Sequence, residues 1–175
     1  SIMNLTKPNK NLVLVGMMGS GKTKLGRYLA KKLKYQFYDT DEEIEKKLNL
    51  QIFEIFENFG EKYFRELEEV ITMNFLKKKR SVISLGGGGY LNYNIRKAIQ
   101  KSCVAIWLKW NSKTLIDRVK RNQKRPIIRN MKTSEIEKLI EKRSKIYSRA
   151  DIMINCEGKI RNNIISKIIK NYENL

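Results

Sequence analysis

Residues 16–23 read GMMGSGKT, three glycines with a lysine and a threonine placed directly after the apolar run NLVLV. The spacing fits G-x-x-x-x-G-K-[ST], a loop between strand and helix that holds nucleotide phosphates. Gly16, Gly19 and Gly21 let backbone N–H groups turn inward around phosphate oxygens, and the helix that follows adds its positive N-terminal potential. In such a loop Lys22 reaches the β- and γ-phosphates and the Thr23 hydroxyl holds Mg²⁺. Asp39 and Asp41 stand two apart near the end of a second apolar segment, YQFYD at 35–39. In extended backbone, side chains two apart share a face. One carboxylate then holds a metal through water while the other takes the proton of a hydroxyl nucleophile. A capping box between Thr40 and Glu43 is the competing structural account of these acids.

Three arginines extend the constellation. Arg65 lies in KYFRELEEV, within reach of Glu68 or Glu69 on a helix surface. Ile136, Ile140, Arg143 and Tyr147 share one helical stripe by their spacing. A guanidinium on an otherwise apolar face requires an anionic partner, and a carboxylate matches its two-pronged geometry. Arg125 sits just before Pro126 in a polar basic stretch, where a closing loop would bring it onto developing phosphoryl charge.

The elements that must position these groups are legible from periodicity. Short branched runs at 11–15, 35–39, 81–85, 103–108 and 151–155 read as strands. Helical spacing covers 22–33, 42–59, 61–79, 92–101, 112–121 and 135–148, and a last helix closes the chain. Gly60 separates the second helix from the third, and Ser134 with Glu137 makes a capping box for the helix at 135–148. The stretch NQKRPIIRNMKT, 122–133, reads as an exposed mobile loop. Alternation of this kind argues for an α/β fold with a parallel sheet covered on both faces. Ligands then collect beyond the carboxyl ends of the strands. The glycine loop, the acid pair and GGGG at 86–89 all fall at such ends.

Composition narrows the classes. The chain of 175 residues fits one domain with a full core. No apolar run approaches the ~20 residues that cross a bilayer, and the first ten residues lack the apolar segment of a signal peptide. A cytoplasmic enzyme with no membrane partner is expected. The sequence contains no histidine and only two cysteines, Cys103 and Cys156. Soft-metal sites and histidine-based triads are thereby disfavoured. The net charge of +19 is spread along the chain rather than gathered in a stripe. It suits an anionic small molecule, and no nucleic-acid partner is expected.

Together the motifs resemble the shikimate kinase family over essentially the whole chain. The matching stretches are GMMGSGKT, YDTD, FRELE, SLGGGG, RPII and KRSKIYSRAD, in that order. Gly89 and Tyr90 stand where smaller apolar residues are frequent in the family. The resemblance implies a P-loop fold like that of nucleoside monophosphate kinases, with a five-stranded parallel sheet in a single domain over 1–175. It also implies a substrate-binding segment near 40–70, a lid near 121–134, and a monomer. The implied reaction is ATP-dependent phosphorylation of the 3-hydroxyl of shikimate. Asp41, Lys22 and Arg125 would be catalytic, and Asp41, Arg65, Gly87 and Arg143 would hold shikimate. Gly19, Ser20, Gly21, Lys22, Thr23, Lys24, Arg121 and Arg125 would bind ATP, with Arg121 against the adenine. Thr23 and Asp39 would hold Mg²⁺. Another small-metabolite P-loop kinase, such as a gluconate kinase, and a nucleotide-switched nucleic-acid-binding module are the rival readings.

Overall fold

The structure, a computed structural model, describes residues 10–122 and 126–175. Its centre is a five-stranded sheet in the order β2-β3-β1-β4-β5. The strands are β1 (Asn11–Val15), β2 (Gln36–Asp39), β3 (Ser81–Ser84), β4 (Cys103–Lys109) and β5 (Ile152–Asn155). Every pairing is parallel, with Val13 between Ile83 and Ala105 at the middle of the sheet. Such a sheet is buried on both faces, which is why β1 is apolar at consecutive positions. Leu12 and Leu14 pack on one side, Val13 and Val15 on the other. The first side is covered by α1 (Lys22–Leu33) and α8 (Arg161–Glu173) through Leu25, Leu29, Ile164 and Ile168. The second side carries α3 (Ile52–Leu76), α4 (Tyr93–Ser102), α5 (Ser112–Arg121) and α7 (Thr133–Tyr147).

Four local expectations are corrected. The helical stretch at 42–59 is two helices, because α2 (Thr40–Leu48) ends at Asn49 in a left-handed conformation, φ 53°. Asparagine tolerates that region, and α3 restarts at once with the Glu54 carboxylate accepting the Gln51 N–H at 3.0 Å. Asp41 consequently lies on the first turn of α2, not in extended backbone, and Asp39 rather than Thr40 caps that helix by accepting the Glu42 N–H at 2.9 Å. The stretch at 122–133 includes a helical turn, α6 (Pro126–Arg129), opened by a proline whose fixed φ suits a first helical position. Finally, α7 begins at Thr133, and Glu135 accepts the Lys132 N–H at 3.0 Å where Ser134 and Glu137 were expected to cap it.

Gly60 interrupts α3 as expected, with φ 86° and ψ 167°. No helix among the described residues is long and apolar enough to cross a membrane.

Candidate active site

Between β1 and α1 the chain wraps into a loop whose Gly19 and Gly21 take φ of 81° and 82°. Residues with a Cβ rarely adopt these angles, which accounts for the glycines. Lys22 closes the loop from inside: its Nζ donates to the carbonyls of Gly16 at 2.7 Å and Met17 at 3.0 Å. The Ser20 side chain is buried and its carbonyl accepts the Trp110 indole N–H at 2.8 Å. Beside it, the Thr23 hydroxyl donates to Asp39 at 2.5 Å, joining α1 to the end of β2. Burial raises the Asp39 carboxyl above the ordinary aspartate value, against the lowering effect of its Thr23 and Glu42 hydrogen bonds. Gly19, Gly21, Lys22, Thr23, Lys24, Asp39 and Asp41 line a cavity of about 420 Å³.

A second cavity, of about 370 Å³, adjoins the first. Its lining combines the polar Asp41, Arg65, Glu68 and Arg143 and the backbone of Gly87 and Gly88 with the apolar Phe53, Phe56, Phe64, Ile128 and Met131. The two cavities share Met18, Asp41, Ile52 and Gly87. Asp41 thus stands at their junction, its carboxylate packed on the Gly86 backbone, where an added methyl would lie 2.5 Å from Oδ1.

The two arginines differ. Arg65 donates to Glu68 at 2.9 Å, and Glu68 is almost wholly buried. Burial outweighs the attraction of Arg65 and pushes the Glu68 carboxyl up to about 7. The same guanidinium lies against Gly88, where a methyl would come within 2.6 Å of it. Arg143 has its Nε and Nη1 buried with no hydrogen-bond partner among the described residues. The half-buried guanidinium also meets the Tyr147 hydroxyl and feels the Glu68 carboxyl, yet those two nitrogens keep donor capacity suited to an incoming carboxylate.

Most of the anticipated constellation is therefore gathered at one rim of the sheet. Arg121 departs from it, since it is exposed and its Nε turns back to the Asp117 carbonyl at 3.2 Å. Nearer the loop lies Arg118, one turn earlier on α5. Arg118 donates to the Gly19 carbonyl at 2.7 Å and its guanidinium rests 4.1 Å above the Trp110 ring. Only the packing of Trp110 beneath the loop reveals this arginine, and no local motif marks it. Arg125 lies outside the described residues.

Comparison with known proteins settles the family. The shikimate kinase family model matches residues 18–173. The chain belongs to the shikimate kinase family. Among curated shikimate kinases, that of Persephonella marina is 44% identical over 161 residues, covering 91% of this chain and 97% of the relative. A solved shikimate kinase from Acinetobacter baumannii, in complex with shikimate, superposes with a TM-score of 0.87 at 30% identity, covering 94% of this chain and 92% of that one. A gluconokinase from Sinorhizobium meliloti shares the fold alone, with a TM-score of 0.56 at 14% identity and coverage of 94% and 92%. In this shikimate kinase family member the phosphate loop and the two-arginine cavity are neighbouring compartments that meet at Asp41.

Proposed function

We propose that this chain transfers the terminal phosphoryl group of ATP to the 3-hydroxyl of shikimate, giving shikimate 3-phosphate and ADP for aromatic amino-acid biosynthesis. The observation that carries this reading is the pair of adjoining cavities with Asp41 between them. The loop cavity suits ATP and the arginine cavity suits a small hydroxy acid. Arg143 supplies unsatisfied donors for the substrate carboxylate, with Arg65 beside it. Asp41 accepts the hydroxyl proton as the oxygen–phosphorus bond forms and the bond to the ADP oxygen breaks. Lys22 leaves its loop carbonyls for the phosphates, and Ser20, Lys24 and the Gly19–Gly21 backbone complete the cradle. Arg118 flanks the nucleotide at the mouth of the loop, in the role first expected of Arg121. Residues 40–70 form the substrate-binding segment of a single domain. The lid spans 121–134, where Pro126, Ile128 and Met131 already wall the arginine cavity.

The donors of Thr23 and Asp39 fit Mg²⁺. Both are hard oxygen ligands joined by a hydrogen bond. Mg²⁺ is ordinarily held by one or two protein groups plus phosphates and water. When bound, the ion neutralises charge on the β- and γ-phosphates. The enzyme acts as a monomer in the cytoplasm on small molecules, with no nucleic-acid or membrane partner.

The deciding experiment is a coupled ADP-release assay with shikimate, gluconate and nucleoside monophosphates side by side. Shikimate alone should drive release above background. Equal or greater release with gluconate or a nucleoside monophosphate would overturn the assignment.

A further inference from the structure

Behind the arginine cavity, and outside its lining, lies Tyr147, the last residue of α7. It is 1% exposed, and its ring centroid lies 5.9 Å from that of Trp107. Its hydroxyl donates to the Gly87 carbonyl at 2.5 Å, across 60 residues of sequence. Arg143 precedes it by four positions, so the two side chains lie on one face of α7, a turn apart. A methyl at Gly87 would stand 3.3 Å from Arg143 Nη1. The guanidinium therefore rests on the same peptide segment that the hydroxyl holds.

The glycine segment is anchored on either side of this point. The Gly86 N–H donates to the Thr40 hydroxyl at 2.9 Å, and the Gly89 N–H returns to the Gly86 carbonyl at 2.9 Å. Between these anchors the Gly87–Gly88 peptide has no side chain of its own to pack. The Gly87 carbonyl and the Gly88 N–H belong to one planar trans unit and point in opposite directions. Holding the carbonyl at Tyr147 therefore fixes the plane of this peptide, and Gly88 lies against the Arg65 guanidinium.

We infer that Tyr147 is a positioning residue for the acid substrate: its hydroxyl locks the Gly87–Gly88 peptide to α7 and so sets Arg143 and the segment's backbone donors at one fixed separation. This rests on the shikimate reading above. Burial pushes the Tyr147 hydroxyl up to about 12, so it stays a protonated donor across any working pH. Gly87 borders both compartments, but the lock acts chiefly on the acid side, because the Arg143 and Arg65 guanidinium groups both lie against the Gly87–Gly88 segment.

The test is Tyr147→Phe, which removes the hydroxyl and keeps the ring against Trp107. Steady-state constants for both substrates are measured together with the thermal midpoint. The shikimate KM should rise roughly five- to tenfold, the scale of one buried hydrogen bond, while the ATP KM stays within about twofold. In an Arg143→Lys background the same substitution should cost clearly less, since both act on one contact. An unchanged shikimate KM overturns the inference, as does a lower kcat that follows the thermal midpoint with both KM values unmoved. Wild-type protein inert toward shikimate sinks the underlying reading instead, which separates the two failures. If the variant does not fold, NMR of the wild type decides. A slowly exchanging Tyr147 hydroxyl proton near the Gly87–Gly88 peptide supports the lock, and rapid exchange with bulk water refutes it.

Discussion

Two guanidinium groups face one cavity in different states of satisfaction. Arg65 already has Glu68, whereas Arg143 keeps Nε and Nη1 unpartnered among the described residues. A substrate carboxylate therefore gains most from Arg143. Arg143→Lys retains the charge but loses the planar fork. Its shikimate KM should rise roughly tenfold or more, the cost of a charge-assisted hydrogen bond, with little change for ATP. Equal weakening of both substrates in a steady-state assay would remove Arg143 from the acid site. Asp41 lies at the junction of the cavities and is proposed to take the proton. Asp41→Asn should lower kcat by roughly 10²–10⁴-fold, the range of a positioned general base. A single-turnover rate near wild type would mean that alignment of the reactants alone drives transfer.

At the scale of elements, the segment from α2 to α3 shapes the acid cavity by two interruptions. The first, at Asn49–Gln51, carried a readable signal: an asparagine at a helix end, then Gln51 followed by Glu54 three residues on. Continuous apolar spacing from Ile44 to Phe59 masked it. The second, Gly60, was plain in the sequence. Its φ of 86° with ψ of 167° belongs to a region open essentially to glycine alone. The kink lets Phe56 stack on Phe64 at 4.7 Å while Arg65 turns to the cavity. Gly60→Ala should cost about 1–3 kcal/mol in denaturant unfolding and raise the shikimate KM. An unaltered unfolding midpoint would show that the helix straightens there without strain.

Across the whole molecule, stability should carry the mark of Glu68. Its carboxyl is raised from 4.5 to about 7, chiefly by burial, with Arg65 opposing. Between those values the folded state holds a proton that the unfolded chain releases, so this group's contribution falls as pH rises from about 4.5 to about 7. The difference in thermal midpoint between wild type and Glu68→Gln should shrink or reverse over that window and stay level above it. A difference independent of pH would mean that folding leaves the Glu68 carboxyl unshifted. The sequence alone determined the phosphate loop, the alternation of strands with helices, and the nearness of the acid pair to a strand end. Those features are local: a glycine loop spans a few residues, and periodicity reports only which face of an element is buried. Tertiary structure alone decided that Arg118, 99 residues from Gly19, and not Arg121, meets the loop. It also decided that Asp41 sits on a helix turn and that the Tyr147 hydroxyl meets the Gly87 carbonyl. Such partnerships follow from strand order and helix docking, which bring distant residues together by burying apolar surface and leave no trace in the spacing of the residues themselves.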